Sequence, residues 1–394
     1  MHQIITPSIP SFPSRYKPSR QKEQSFQKER LVWAEIDLKK FEKNFLTIKN
    51  QLKPGVKFAG VLKANAYGHG ITQMGKEFER LGADYLAVTC IYEGRKLREA
   101  GVKLPILLIG YTNPESISLA LEYKLTISVS DEEVVQEIIK QAKERHILAY
   151  IHLCVDTGMR MAGTSPQNAL HLLKNIQKES SIFLEGIFSH FADAEAEDLS
   201  FAYRQLQIFT ALIHEIKKLG IYPPLVHMAN GAAIIRIPEA HFTMVRPGTF
   251  LYGPQTGEQI PGFNFESIMT IKTLISHVRT LDPGDSVGYG QNFNTAQQKT
   301  IATIPVGYGD GFQKKWQYVL IHGQKAPIIS GVAMDQTAID VSHIPDVKRG
   351  DEVVLLGKQN AEEITINALA QKLGVPNYEV LSGITERVTR IYKR

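Results

Sequence analysis

Cysteine is scarce in this chain: Cys90 and Cys154 are the only two in 394 residues. Two cysteines do not make a disulfide framework, which fits a reducing, cytoplasmic compartment. No apolar run reaches the ~18 residues that a transmembrane helix needs, so a membrane partner is not expected. Charge of one sign is also lacking in the body of the protein. The formal net charge is +5, but residues 1–30 hold Arg15, Lys17, Arg20, Lys22, Lys28 and Arg30 against Glu23 and Glu29. The remainder is close to neutral and offers no electrostatic footprint for nucleic acid. Residues 1–30 are rich in Ser, Pro, Lys and Gln and lack the apolar stretch of a secretory signal. A flexible tail is expected there, with an organelle transit peptide as the other reading. His69, His152 and His227 follow no metal-ligand spacing and no Cys/His cluster exists, so no metal is expected.

What is present is an alternation. Short apolar runs at 56–62, 85–88, 106–109, 125–129, 149–155, 184–188, 225–229 and 243–245 read as strands. Amphipathic segments at 71–81, 133–144, 169–178 and 201–219 lie between them, with apolar residues near the 3.6 spacing. Near-continuous apolar strands alternating with helices indicate a parallel sheet buried on both faces. Eight such units over about 200 residues suit a (β/α)8 barrel, expected over 31–264. A doubly wound open sheet would want a glycine-rich phosphate turn after its first strand, and none follows it. Beyond 265 the pattern becomes mostly β, with strands predicted at 269–281, 300–305, 318–322, 328–342 and 352–356. One helix is predicted there, over 365–373, with Thr365 as its N-cap. Residues 33–37 alternate as a further strand, counted within 31–264 but able to pair with the 265–394 domain instead of the barrel.

Barrel enzymes carry their chemistry at the C-terminal ends of the strands. That face presents Lys63, Asp156, His190, Asn230-Gly231 and Arg246-Pro247-Gly248. The loops after strands seven and eight are the usual phosphate site, and Gly231 and Gly248 let backbone N–H groups approach a phosphate closely. Lys63 follows the apolar run Phe58-Ala59-Gly60-Val61-Leu62. Desolvation there lowers a lysine pKa and makes the amine nucleophilic toward aldehydes. A strand-end lysine beside a phosphate cradle suggests pyridoxal phosphate. A lone lysine would ordinarily stay solvated, and a lone His190 would ordinarily be a core histidine.

The strings around these residues add to that reading. Val61-Leu62-Lys63-Ala64-Asn65-Ala66-Tyr67-Gly68-His69-Gly70 resembles the cofactor-attachment motif of the alanine racemase family. The resemblance continues through Asp156-Thr157-Gly158-Met159, Glu185-Gly186-Ile187-Phe188-Ser189-His190-Phe191-Ala192, His227-Met228-Ala229-Asn230 and Met244-Val245-Arg246-Pro247-Gly248. It extends to Gly288-Tyr289-Gly290, Gly307-Tyr308-Gly309-Asp310-Gly311, Met334-Asp335-Gln336 and Asn377-Tyr378-Glu379. The resemblance implies a barrel plus a C-terminal β domain in a homodimer with shared sites. It implies that Lys63 holds pyridoxal 5'-phosphate and that Tyr67, Tyr378, Gly231, Gly248 and Thr249 bind its phosphate beside Asn230. Arg246 would face the pyridine nitrogen, next to His190. Lys63 and Tyr289, the latter from the partner, would be the two bases on opposite faces of the α-carbon. A phenol needs neighbours that stabilise its anion before it serves as a base. Met334, also from the partner, would offer its backbone N–H to the substrate carboxylate, and Tyr308 would stand at the substrate entrance.

The chain departs from that family's pattern at one segment. The family usually has Lys-x-Asp-Thr-Gly-Met-x-Arg, its lysine often carbamylated; here Cys154 takes the lysine position and Met161 the arginine position. Arg160, one residue early, is the candidate to contact the carboxylate instead, and an anion could replace the carbamylated lysine. The residue after Asn230 is usually Ser and is Gly231 here. The expected activity is an amino-acid racemase, of alanine, supplying D-alanine for peptidoglycan. The alternatives are a racemase of other or several amino acids, a barrel-type amino-acid decarboxylase, and a non-catalytic pyridoxal phosphate carrier.

Overall fold

A computed structural model describes residues 30–253, 260–291 and 293–394. The tail expected over 1–30 lies, apart from Arg30, outside the described residues.

The first strand, β1 (Val32–Asp37), is followed by eight parallel strands that close on themselves. They are β2 (Lys57–Val61), β3 (Tyr85–Val88), β4 (Ile106–Leu108), β5 (Thr126–Val129), β6 (Ala149–Cys154), β7 (Ile182–Phe188), β8 (Leu225–His227) and β9 (Met244–Val245). Pairing of Phe58 with Val245 shuts the ring. The expected (β/α)8 barrel is thus the observed one. Helices Ile71–Arg80, Glu132–Glu144, Pro166–Ile176 and Ser200–Lys218 cover its outside where amphipathic segments were predicted. Inside, Ala59, Tyr85, Leu107 and Met244 form a small apolar layer.

The C-terminal domain is mostly β. Its strands are β10 (Met269–Leu274), β11 (His277–Leu281), β12 (Ser286–Val287), β13 (Phe293–Asn294), β14 (Lys299–Ile304), β15 (Tyr318–Ile321), β16 (Gln324–Val332), β17 (Thr337–Asp340), β18 (Glu352–Gln359), β19 (Glu362–Ile364) and β20 (Thr389–Lys393). The main sheet runs β11-β14-β17-β16-β15-β18-β10-β1-β20. Strand β1 therefore pairs with this domain, antiparallel to β10 and parallel to β20.

Two runs predicted as single strands are each two. Between β10 and β11 the backbone changes partners: Ile275 N–H bonds Asp351 and Ser276 N–H bonds Thr303. Between β16 and β17 a turn closes through Ala333 N–H and the Gln336 carbonyl, 3.1 Å apart. Thr365 caps helix Ile366–Leu373 as predicted, its hydroxyl accepting from Ala368 N–H. A second helix, Asn377–Ser382, was not predicted; six residues are too few for a 3.6 period to register.

The two domains meet behind Lys63. Residues 64–67, none a glycine, all have φ between +51° and +56°, so the chain leaves β2 in a left-handed turn. Such residues cost of order 1–3 kcal/mol each and persist only when their surroundings hold them. The C-terminal domain supplies that hold. Arg390 on β20 donates to the Gly68 carbonyl at 2.9 Å and to the carbonyls of Ile384, Thr385 and Val388. Tyr392 Oη donates to the His69 carbonyl at 2.9 Å. Gly68 itself has φ +83°, and a Cβ there would collide with the Leu381 carbonyl oxygen. Gly68→Ala is expected to destabilise the protein by at least about 1–3 kcal/mol; a thermal melt at the wild-type midpoint would refute the clamp.

Candidate active site

The C-terminal ends of the barrel strands open on a cavity of about 570 Å3. Lys63, Tyr67, His190, Asn230, Gly231, Arg246, Gly248, Thr249 and Tyr378 all line it. These nine residues come from five separate stretches of sequence, and Tyr378 belongs to the C-terminal domain.

Lys63 stands where β2 ends. It is reachable from the cavity, yet the protein around its ammonium displaces enough water to lower its pKa; Glu93 opposes that shift and Arg246 adds to it. Glu93 also fixes the turn. Its two carboxylate oxygens accept from Ala64 N–H at 2.6 Å and Thr89 N–H at 2.9 Å. Asn65 completes the arrangement, its side-chain oxygen accepting from Ile71 N–H at 2.8 Å. Glu93 carries no local sign of this role in the sequence, because Ala64, the partner that ties it to the turn, lies on a different strand-end loop.

Arg246 is buried at the cavity floor. Its Nη2 donates to the Ser189 carbonyl at 2.7 Å and to His190 Nδ1 at 3.0 Å, and its Nη1 donates to His227 Nδ1 at 2.5 Å. The guanidinium has no acceptor atom, so both imidazole nitrogens facing it are unprotonated. Burial, and then Arg246 itself, pushes His190 down to about 3 and His227 well below its ordinary range. Burial lowers Arg246 to about 10, which leaves it charged at neutral pH. The Phe188 ring stacks on His227 at 4.9 Å between centroids and lies 5.1 Å from the guanidinium carbon.

At the opposite wall the side chains draw back from the backbone. A Cβ on Gly248 would lie 2.6 Å from Tyr67 Oη, so only glycine leaves that hydroxyl in place. A Cβ on Gly231 would meet the Phe250 ring at 3.3 Å. Asn230 caps the helix Gly231–Arg236 by accepting from Ala233 N–H. The wall is thus made of backbone and hydroxyls.

The variant segment lies on the third side. Cys154 and Met161 line the cavity, and burial pushes the Cys154 thiol up to about 12, so the thiol is protonated. Asp156 accepts from the backbone N–H groups of Gly158 and Arg160. Arg160 has φ +62°, and its side chain is 80% exposed with Nη1 3.4 Å from Asp156. The guanidinium is not among the groups that line the cavity, and its partner Asp156 is. Tyr289, Tyr308 and Met334 also lie outside the cavity of their own chain and are exposed. Tyr308 receives Lys314 Nζ at 5.2 Å over its ring, and the Met334 carbonyl accepts from Gly309 N–H. Among the described residues no group of His, Cys, Asp and Glu could hold a metal ion, and no helix is long and apolar enough to cross a membrane.

A lysine and a buried guanidinium in the mouth of an eight-stranded barrel, roofed by a β domain, define an enzyme of the amino-acid racemase class. Residues 36–256 match the family described as alanine racemase, N-terminal domain, and residues 268–392 match alanine racemase, C-terminal domain. The chain belongs to the alanine racemase family. It is 39% identical over 366 residues to the alanine racemase of Methanococcus maripaludis, covering 92% of this chain and 98% of that one. It superposes on the solved alanine racemase of Clostridium difficile 630 with a TM-score of 0.88 at 35% identity, over 92% and 95% of the two chains. It is also similar to the histidine racemase of Leuconostoc mesenteroides, TM-score 0.86 at 26% identity, over 93% and 98% of the chains.

The Lys63 amine is expected to titrate below the ordinary lysine range, since desolvation penalises its charged form. The Glu93 carboxylate favours the charged form, so Glu93→Gln should move the titration further down. Competitive acetylation of Lys63 across pH, read by mass spectrometry, checks both. A Lys63 that reacts like a surface lysine would contradict the desolvation.

Proposed function

We propose that this chain is a pyridoxal 5'-phosphate-dependent racemase that interconverts L- and D-alanine. It would work in the cytoplasm as a homodimer and supply D-alanine for peptidoglycan. The observation that carries this reading is one cavity holding a desolvated lysine and a buried arginine whose partners are all neutral acceptors.

The residues fit such a cofactor. Lys63 is the amine able to link to it. The hydroxyls of Tyr67 and Tyr378 and the backbone of Gly231, Gly248 and Thr249 would hold its phosphate, in the place where a Cβ at Gly248 would intrude. Arg246 would meet the pyridine nitrogen as a donor, which favours an unprotonated ring. Bound pyridoxal phosphate supplies an aldehyde for the lysine and a conjugated ring that acidifies the α-hydrogen of an amino acid. A ring left unprotonated is the weaker electron sink, which favours return of the proton to the α-carbon over transamination.

Inversion requires a proton to leave one face and arrive on the other. Lys63 Nζ serves the face of the D-enantiomer. Tyr289 Oη, supplied by a second copy of the chain, serves the L face. Its exposure in one chain supports that division, since a base buried in its own subunit would not reach a neighbour's cavity. Met334, also exposed in one chain, would offer its backbone N–H to the substrate carboxylate, with Tyr308 near the entrance.

A second reading, a racemase of other or several amino acids, is favoured by the segment Cys154–Met161. There the cavity wall is thiol and thioether, and Arg160 is not part of it.

Racemisation of L-alanine, with and without added pyridoxal phosphate, tests the reading by chiral chromatography, and a panel of other L-amino acids tests the alternative. Loss of one proton-transfer group typically costs 10²–10⁴-fold. Lys63→Ala should lose racemisation and the borohydride-trappable link. Tyr289→Phe should lose solvent deuterium exchange into L-alanine about 10²–10⁴-fold while D-alanine still exchanges through Lys63. A Tyr289→Phe enzyme with wild-type exchange into both enantiomers would refute the two-base assignment.

A further inference from the structure

Behind Arg246 the hydrogen bonds do not stop at His227. His227 Nε2 lies 2.8 Å from His152 Nδ1, and His152 Nε2 lies 3.2 Å from Glu185 Oε2. Glu185 Oε2 also accepts from Tyr85 Oη at 2.7 Å, with Thr126 Oγ1 2.5 Å from the same phenol. The result is an unbroken line through the barrel lumen, from the cavity floor to the layer of Tyr85.

The two ends of this line fix every proton along it. Arg246 only donates, so His227 Nδ1 must accept and the His227 proton sits on Nε2. That proton is given to His152 Nδ1, which places the His152 proton on Nε2. An ionised carboxylate only accepts, so Glu185 demands the same arrangement from the other end. Glu185 is ionised in place: its burial raises the pKa, but the bonds from His152 and Tyr85 outweigh that and hold it below the ordinary range. Both imidazoles are neutral, their pKa values lowered first by burial.

Glu185 reaches this line on the face that Phe183, two residues earlier, shares with Tyr150. Strand β7 shifts register against β6 at this point: Ile151 faces Leu184, and His152 faces Gly186, so Glu185 is passed over. The shift places Gly186 opposite His152 and reverses the alternation of the residues that follow, Phe188 among them. The next residue makes room for the ring, since a Cβ on Gly186 would lie 2.5 Å from His152 Nδ1. Phe188, two residues on, clamps His227 from one face. One short segment of β7 thus supplies the terminal acceptor, the space and the clamp.

We infer that Glu185 is a positioning residue for Arg246: by fixing both histidine tautomers it holds an acceptor nitrogen against the guanidinium. Without that acceptor His152 is free to carry its proton on Nδ1. His227 then turns its own proton toward Arg246, and two N–H groups face each other across a 2.5 Å gap. The guanidinium must move or rotate. The activity arm of this inference rests on the proposed role of Arg246; the tautomers do not.

Two variants separate this role from a structural one. Glu185→Leu removes the acceptor, whereas Glu185→Gln keeps an acceptor oxygen and removes only the charge. The readouts are the 15N shifts of the imidazole nitrogens in histidine-labelled protein, which report where each proton sits, and kcat of the cofactor-loaded enzyme. Glu185→Leu is expected to scramble the His152 and His227 tautomers and lower kcat about 10- to 100-fold, the usual cost of losing a residue that orients a ligand from behind. Glu185→Gln is expected to keep Nε2 protonation on both rings and a kcat at least about tenfold above that of Glu185→Leu, which also answers the case in which the leucine variant folds poorly. Wild-type tautomers in Glu185→Leu, or a glutamine variant as impaired as the leucine one, would overturn the inference. A wild-type protein that shows the expected tautomers but racemises no amino acid would sink the proposed activity and leave the tautomer lock standing.

Discussion

A guanidinium buried at the base of the cavity sets the terms for the groups around it. Removing one partner from a buried charge costs several kcal/mol, so every donor on Arg246 must meet an acceptor. The barrel meets that demand with two carbonyls and two imidazole nitrogens rather than with an adjacent carboxylate. The nearest carboxylate along the bonded line stands two histidines away, at Glu185. The cavity floor therefore keeps a permanent positive charge with no counter-ion beside it. A site of that kind suits an electron-rich ring nitrogen and disfavours a second cation, which is consistent with the lowered pKa values of Lys63 and His190.

The lysine is held by a different kind of constraint. Four consecutive left-handed residues follow it, and no local preference explains them. Glu93 grips the start of the turn from within the barrel, and Arg390 and Tyr392 grip its end from the C-terminal sheet. Strand β1 ties the same sheet to the chain just ahead of the barrel. The C-terminal domain thus stabilises a strained backbone next to the amine and also adds Tyr378 to the cavity wall. Removing that domain would leave the lysine without its support, so the two domains form one site rather than a catalytic unit with an appendage.

Short-range patterns determined much of this protein. Apolar runs of strand length alternating with amphipathic segments are a local property, and they specify parallel strands covered by helices. The lining residues were legible for a related reason: barrel chemistry sits at strand C-termini, so reading the residue after each run finds Lys63, His190, Asn230 and Arg246. The alternation of residues 33–37 marked a strand, and its pairing with β10 and β20 settled which domain it joins. The breaks near Ile275 and Ala333 were not, because a strand that changes partners keeps the same apolar spacing.

Tertiary structure alone decided three matters. The direction of Arg160 depends on a loop that Asp156 folds back on itself, and one arginine near a motif does not reveal it. The turn at Lys63 depends on groups up to 323 residues distant. The faces taken by β7 beyond Glu185 depend on a slip of one residue against β6, which sets Gly186 opposite His152. Alternation along a strand has a period of two, so a single passed-over residue reverses which face a side chain takes. The sequence determines the period by itself; the register, which belongs to a pair of strands, decides where each polar group points.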